Sequence, residues 1–472
     1  MSNNTNTSSS PQFPKASHAA DACPDIPNGA HSPAVSRPTI EMTEDPDDVI
    51  PPTHDDRTLV LCFDGTGDQF DGDNSNIVQF FSMLKKDDPS EQMVYYQAGI
   101  GTYTIPQIAT PFYAKLSKTI DAMVGSNLDV HVMDEAGDRI CLFGFSRGAY
   151  IARALTGMLH KVGLLPPCNH QQVPFAYKMY SKDDGEGWKQ SKAFKRAFSI
   201  DVDVQFVGVW DTVNSVGIIP YRLPFTKANN KIRYFRHALA LDEHRARFMP
   251  NFCNRSTDAD NKLGVQKGEM PRSTKKSRPV RTPYDKLLHE GKRRYTESIS
   301  QTDADEVWFA GCHCDVGGGS VENGTRHSLA RIPLRWMIRE IFKTKHVGMD
   351  PSTLYLHVTP RPPAIFNRPL LPAKIDSGTP ISNDALSPMY DQLEIAPYWW
   401  ILEMLPQKQR YQREDDTWIG DVKVNMGGGR DIPKRRTLKI HRTVKIRMEA
   451  DTLKEGKYWP KAKINVEPTW VD

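Results

Sequence analysis

The chain predicts an α/β fold, a mainly parallel sheet with helices on both faces. Short, nearly continuous apolar runs of strand length end in Gly- and Asp-rich turns, stretches of helical periodicity follow them, and one such junction is Gly144-Phe145-Ser146-Arg147-Gly148. Strands that are apolar along their whole length belong to parallel sheets buried on both faces. Their alternation with helices puts those helices on the faces.

Each element follows from local chemistry. Residues 1–56 are rich in Ser, Thr, Pro, Asn and Asp, with Phe13 their only aromatic, so they cannot offset the entropy of folding and read as a disordered tail. Thr58-Leu59-Val60-Leu61-Cys62-Phe63 is a buried strand running into the turn Asp64-Gly65-Thr66-Gly67. Asn74, Ser75 or Asn76 caps a helix over Ile77 to Lys86, and a second strand follows at Met93 to Gln97. Pro111 to Asp134 reads as mostly helical, and Ile140 to Phe143 as a third strand. The helix behind Gly148 sets Ile151, Leu155, Met158, Leu159 and Val162 on one face, with Gly163 as its stop. Further strands are expected at Val204 to Trp210, ending in Asp211, and at Val307 to Ala310, ending in Gly311-Cys312-His313. A helix from Ser328 to Phe342 should be kinked by Pro333. These elements make a catalytic domain over 57–350, interrupted at 254–300 by a polar, basic stretch that reads as a mobile insertion. Residues 351–472 form a C-terminal extension expected to cap the cleft. It has a Pro-rich start, the aromatic run Tyr398-Trp399-Trp400-Ile401-Leu402 and β-like alternation over Thr443 to Met448.

Composition narrows the classes of function. With 39% apolar and 25% charged residues over 472 positions, the chain can bury a real core. A net charge of +4 is too small at this length to suggest a nucleic-acid coat, so no nucleic acid is expected as partner. The 7 cysteines are odd in number and several sit in apolar runs, which points to a reducing, cytoplasmic setting. No run approaches the ~18 apolar residues of a spanning helix, and the first residues lack an apolar export signal.

The chemistry gathers at Ser146. Between an apolar strand and an amphipathic helix, Gly144-Phe145-Ser146-Arg147-Gly148 has the context of a nucleophile elbow, in which Gly144 and Gly148 leave room at a strained turn. A serine hydroxyl needs a base, and the base an acid to orient it. Asp211 and His313, each following a later strand, supply them in the chain order serine, acid, histidine. The amide of Arg147 and that of Gly65 or Thr66 are the oxyanion-hole candidates, Asp64 braces their loop, and Asp315 supports the loop Gly317-Gly318-Gly319. A phosphatase-type D-x-D-G-T loop would require aspartate where Cys62 stands. Cys312-His313-Cys314-Asp315, read as extended, cannot converge on one metal, so no metal and no cofactor are expected. The expected reaction is hydrolysis of carboxylic esters through an acyl-enzyme. The alternative is a non-catalytic binding or scaffold protein of the same fold, against which the intact Ser, Asp and His argue.

Four ordered segments, Leu61 to Gly67, Gly144 to Arg153, Val207 to Val213 and Trp308 to Gly319, resemble the DUF2235 family over about Arg57 to Lys345. That family groups α/β-hydrolase proteins of fungi and bacteria with the catalytic domain of type VI secretion phospholipase effectors, and this chain resembles its fungal members more. The resemblance implies an α/β-hydrolase fold and a triad carried over onto Ser146, Asp211 and His313. It also implies ester substrates that extend to phospholipids and other lipids. Peripheral contact with an anionic membrane is a further expectation, through Lys275, Lys276, Arg278, Lys292, Arg293, Arg294 and the aromatic run at 398–402. Oligomeric state is open.

Overall fold

The first strand, β1 (Thr58–Phe63), shows why its run is apolar throughout: Val60 and Cys62 enter one core cluster, while Leu59, Leu61 and Phe63 enter a second on the opposite face. The computed structural model describes residues 58–99, 139–213, 232–270, 302–343 and 380–472, apart from 85, 87, 88, 90, 91, 167, 168, 254–262, 267, 268, 413–417, 433–436, 452, 454 and 455. The expectations for 1–56, for Pro111 to Asp134 and for nearly all of the basic insertion lie outside these residues. Everything described belongs to one compact unit, Pro51–Asp472.

Among the described residues, one sheet of eight strands carries the fold, in the order β10-β9-β6-β5-β4-β3-β1-β2. Its members are β1, β2 (Gln92–Gln97), β3 (Arg139–Phe145), β4 (Val204–Trp210), β5 (Ile232–Ala240), β6 (Asp303–Phe309), β9 (Lys439–His441) and β10 (Thr469–Val471). Every pairing is parallel. A separate antiparallel hairpin joins β7 (Gln407–Gln412) and β8 (Trp418–Lys423). On one face lie α1 (Asn76–Met83), α6 (Arg331–Lys343) and α10 (Thr443–Glu449), and on the other α2 (Arg147–Val162), α3 (Val173–Ser181) and α4 (Gly185–Phe198). This is the expected α/β architecture, a parallel sheet with helices on both faces. No helix among the described residues is long and apolar enough to cross a membrane.

Ser75 is the cap of α1, its Oγ accepting from the Val78 N–H at 3.3 Å. Gly163 stops α2 with φ 77°. Elsewhere the structure departs from the sequence reading. Strand β5 was hidden because Arg233, Arg236 and His237 interrupt its apolar run, yet all three are buried. Arg236 is satisfied by Glu340 of α6 at 2.8 Å and by Asp303 at 3.0 Å, and His237 by Glu306 at 3.0 Å. Helix α6 continues past Pro333, which stands in the first turn, where a missing N–H costs no intrahelical bond.

The run Thr443 to Met448 is helix α10 and not a strand. Thr443, Val444 and Arg447 are its buried residues, the last two three apart, and the Arg447 guanidinium donates to the carbonyls of Ala385 (2.9 Å) and Ser387 (2.6 Å). A buried arginine conceals a helical face that an apolar residue would have announced. The C-terminal residues also extend the sheet itself: Lys439 and Ile440 pair with Val307 and Trp308, and β10 pairs with β9.

Candidate active site

The parallel register brings three strand ends into line. Phe145 of β3 pairs with Trp210 of β4, and Trp210 with Ala238 of β5. Each ladder runs one residue further, the Ser146 N–H donating to Trp210 O at 3.0 Å and the Asp211 N–H to Ala238 O at 2.7 Å. Ser146 and Asp211 are therefore neighbours at the carboxyl edge of the sheet.

Both have unusual backbones. Ser146 has φ 56° and Asp211 φ 38°, and the only other non-glycine residue with positive φ among those described is Met426. Such strain persists only where the surroundings over-determine it, and it collects at functional sites. The glycines beside Ser146 are steric necessities. A Cβ on Gly148 would stand 2.2 Å from Phe63 O, and one on Gly144 would stand 2.5 Å from Gly148 O. Helix α2 begins at Arg147, directing its positive end at the serine.

His313 opens a short helix, α5 (His313–Gly317), beyond Gly311, whose φ of 111° turns the chain off β6. Its Nδ1 lies 2.6 Å from Asp211 Oδ2. The imidazole packs against the rings of Phe145 and Phe248, with centroids 4.7 and 4.9 Å away. Its Nε2 is buried and has no hydrogen-bond partner among the described residues. Burial pushes the imidazole below its usual pKa, against the Asp211 hydrogen bond and the charges of Asp211 and Glu243.

Asp211 is fully buried and densely bonded. Oδ1 accepts from the Ala240 N–H at 3.0 Å and from Arg430 Nη1 at 2.6 Å, and Oδ2 accepts from Arg430 Nη2 at 2.9 Å as well as from His313. Burial alone would raise this carboxyl. Arg430 and His313 outweigh that and hold it well below the usual carboxylate range. A second ion pair stands beside it, in which Glu243 accepts from Arg245 Nε at 3.0 Å and Nη2 at 2.8 Å and from the His313 N–H at 3.3 Å.

The loop after β1 completes the surroundings. Asp64 accepts from Ser75 Oγ (2.7 Å), Tyr96 OH (2.7 Å) and the Gly65 N–H (2.8 Å). Gly65 lies against the Phe145 ring, but its amide is spent on Asp64. Of the two amides expected from this loop, that leaves Thr66, whose buried hydroxyl oxygen has no hydrogen-bond partner among the described residues. Asp68, further along, is pushed up to about 7 by burial and by its acidic neighbours Asp64, Asp71 and Asp73, against Arg147.

Cys312 to Asp315 turns out to be the start of α5, so the reason given above from an extended chain does not apply. Asp315 accepts from the Cys312 N–H at 2.8 Å and from the Tyr390 N–H at 3.0 Å, closing a capping box. No group of three potential ligands gathers for a metal among the described residues. The first two glycines of the run 317–319 are closely packed: a Cβ on Gly317, which ends α5, would stand 1.8 Å from the Phe145 ring, and Gly318 abuts Ser75 and Asn76.

Aromatic contacts lead outward from the histidine. Phe248 meets Trp399 at 5.6 Å, and the Arg245 guanidinium lies 3.5 Å above the Phe248 ring. Beyond Trp399 the apolar side chains are exposed, Tyr398 by 66%, Ile401 by 60%, Met404 by 56% and Met426 by 60%. Sequence reasoning missed Glu243, Arg245, Phe248 and Arg430. The signal for the first two was Asp242-Glu243-His244-Arg245, four ionisable residues in succession directly after the apolar run 238–241.

The parallel sheet with helices on both faces defines an α/β protein. The chain belongs to the family described as the type VI secretion system phospholipase effector Tle1-like catalytic domain, whose model matches residues 57–340. It is 29% identical to the uncharacterized protein YEL023C of Saccharomyces cerevisiae, a match covering 61% of this chain and 57% of that relative's length. Two solved structures are similar over part of the chain. An uncharacterized protein from Pseudomonas aeruginosa shows 17% identity and a TM-score of 0.34, over 66% of this chain and 48% of its own. The Tle1 effector bound to the VgrG spike of the type VI secretion system shows 17% identity and a TM-score of 0.29, over 58% and 53%.

Proposed function

We propose that the protein is a serine hydrolase of carboxylic esters, with lipid esters, phospholipids included, as its substrate class. One observation carries this reading: an imidazole fixed by a buried carboxylate at Nδ1 has its Nε2 buried and without a partner among the described residues, on the sheet edge that bears a strained serine. In the proposed reaction Ser146 Oγ attacks the ester carbonyl while His313 Nε2 takes the hydroxyl proton. Asp211 keeps the proton of His313 on Nδ1 and stabilises the imidazolium. The amides of Arg147 and Thr66 receive the oxyanion, the alcohol leaves with the proton from His313, and water then cleaves the acyl-enzyme by the same route. The phospholipase description of the family supports the substrate class.

We further propose 57–350 as the catalytic domain, completed by strands and side chains of the C-terminal extension. The exposed apolar residues around Trp400 are proposed as the face that meets an anionic membrane. A fluorophosphonate probe, which reacts with activated serines, tests the mechanism. The wild type should label and Ser146→Ala should not, with a thermal midpoint within a few degrees of the wild type. A folded Ser146→Ala protein that still turns over p-nitrophenyl esters would overturn the reading.

A further inference from the structure

Arg430 lies outside the stretch that matches the family model, yet it reaches the centre of the site. It follows Gly427-Gly428-Gly429 in the C-terminal extension and is 1% exposed. Both terminal nitrogens engage Asp211, at 2.6 and 2.9 Å, and Nη1 also donates to Ala240 O at 2.9 Å, which fixes the guanidinium plane. A residue needed only to fill this space would not have to meet both oxygens of the one carboxylate that holds the histidine.

We infer that Arg430 is a positioning residue of the triad: by clamping Asp211 and balancing its charge, it keeps the His313 imidazole neutral and free to accept the serine proton. This rests on the hydrolase reading above. The charges around His313 are otherwise paired. Asp211 is matched by Arg430, and Glu243, beneath the His313 N–H, is matched by Arg245. Phe145 and Phe248 present uncharged rings, and Asp315, on the histidine's own helix, is turned to the amides of Cys312 and Tyr390. On the side of β1 and the elbow the charged groups are Asp64, Asp68, Asp71 and Asp73, with Arg147 beside Asp68. Removing Arg430 leaves Asp211 as an unbalanced negative charge 2.6 Å from Nδ1. An unbalanced carboxylate favours imidazolium, so the histidine would take up its proton at a higher pH and be a spent base near neutrality.

The test uses the full chain with Arg430→Gln and Arg430→Lys. The acidic limb of the kcat/KM profile on p-nitrophenyl esters should rise by about one pH unit or more in Arg430→Gln, as removal of an ion-pair partner predicts. Arg430→Lys, which restores charge without the two-pronged clamp, should return most of that shift. The His313 imidazole, followed by nitrogen NMR with its signal assigned through His313→Asn, should titrate in parallel. Folded variants with an unmoved limb and an unmoved imidazole titration overturn the inference, as does a lysine variant indistinguishable from glutamine. If Arg430→Gln does not fold, Arg430→Met, which also removes the charge at similar length, carries the test, with the same upward shift expected and its absence decisive. A wild type without esterase activity sinks the hydrolase reading instead, and the NMR titration still judges Arg430.

Discussion

Ser146 and Asp211 hold positive φ without being glycines, and the glycines next to Ser146 are what make its conformation reachable. This gives a comparison between two substitutions of one type. Gly148→Ala drives a methyl group into the carbonyls of Phe63 and Asp64, at 2.2 and 2.4 Å, and backbone there cannot step aside. It should cost about 3 kcal/mol, read from urea midpoints. Gly67→Ala meets no atom within 4 Å and loses only through its φ of 82°, a cost of about 1 kcal/mol. Equal losses would refute the steric account. The residues proposed for the chemistry were conspicuous because each stands directly beyond an apolar run, where a polar side chain stands out. Arg430 was not, because nothing in its neighbourhood in sequence anticipates a carboxylate 219 positions away.

At the scale of elements, α5 shows how a short helix is held in place to present one side chain. Asp315 ties its start to Cys312 and to Tyr390, and burial pushes this carboxyl up to about 7, against the help of those two amides. Its folded pKa lies above the unfolded value, so the stability it contributes is full below pH 3.8 and declines as the pH rises through about 7. Asp315→Asn keeps an acceptor for both amides and has no charge to bury. Its stability relative to the wild type should therefore improve between pH 5.5 and pH 8, by on the order of 2 kcal/mol in urea denaturation. A difference independent of pH would show that Asp315 is not the titrating group. The same bonding logic explains which elements escaped sequence reading. Runs whose buried members were apolar, such as β1 and β4, were plain, whereas β5 and α10 bury arginines whose partners lie in other elements.

For the whole molecule, the ring contacts from His313 through Phe248 and Trp399 lead to exposed Tyr398, and Ile401, Met404 and Met426 are exposed as well. If that exposed surface meets lipid, Ile401→Glu combined with Met404→Glu should reduce sedimentation with phosphatidylserine vesicles roughly tenfold or more. Turnover of a short soluble ester should stay unchanged, since neither side chain belongs to the proposed triad. Vesicle binding equal to that of the wild type would exclude this face. The parallel sheet itself was legible from strand composition. Its completion by β9 and β10 was not, because each is only three residues long, too short for a periodic signal. That late completion bears on how the protein is made. Ser146, Asp211 and His313 leave the ribosome well before Arg430 and the last two strands are synthesised, so a growing chain carries the proposed nucleophile, acid and base for more than a hundred residues without the arginine that pairs with Asp211.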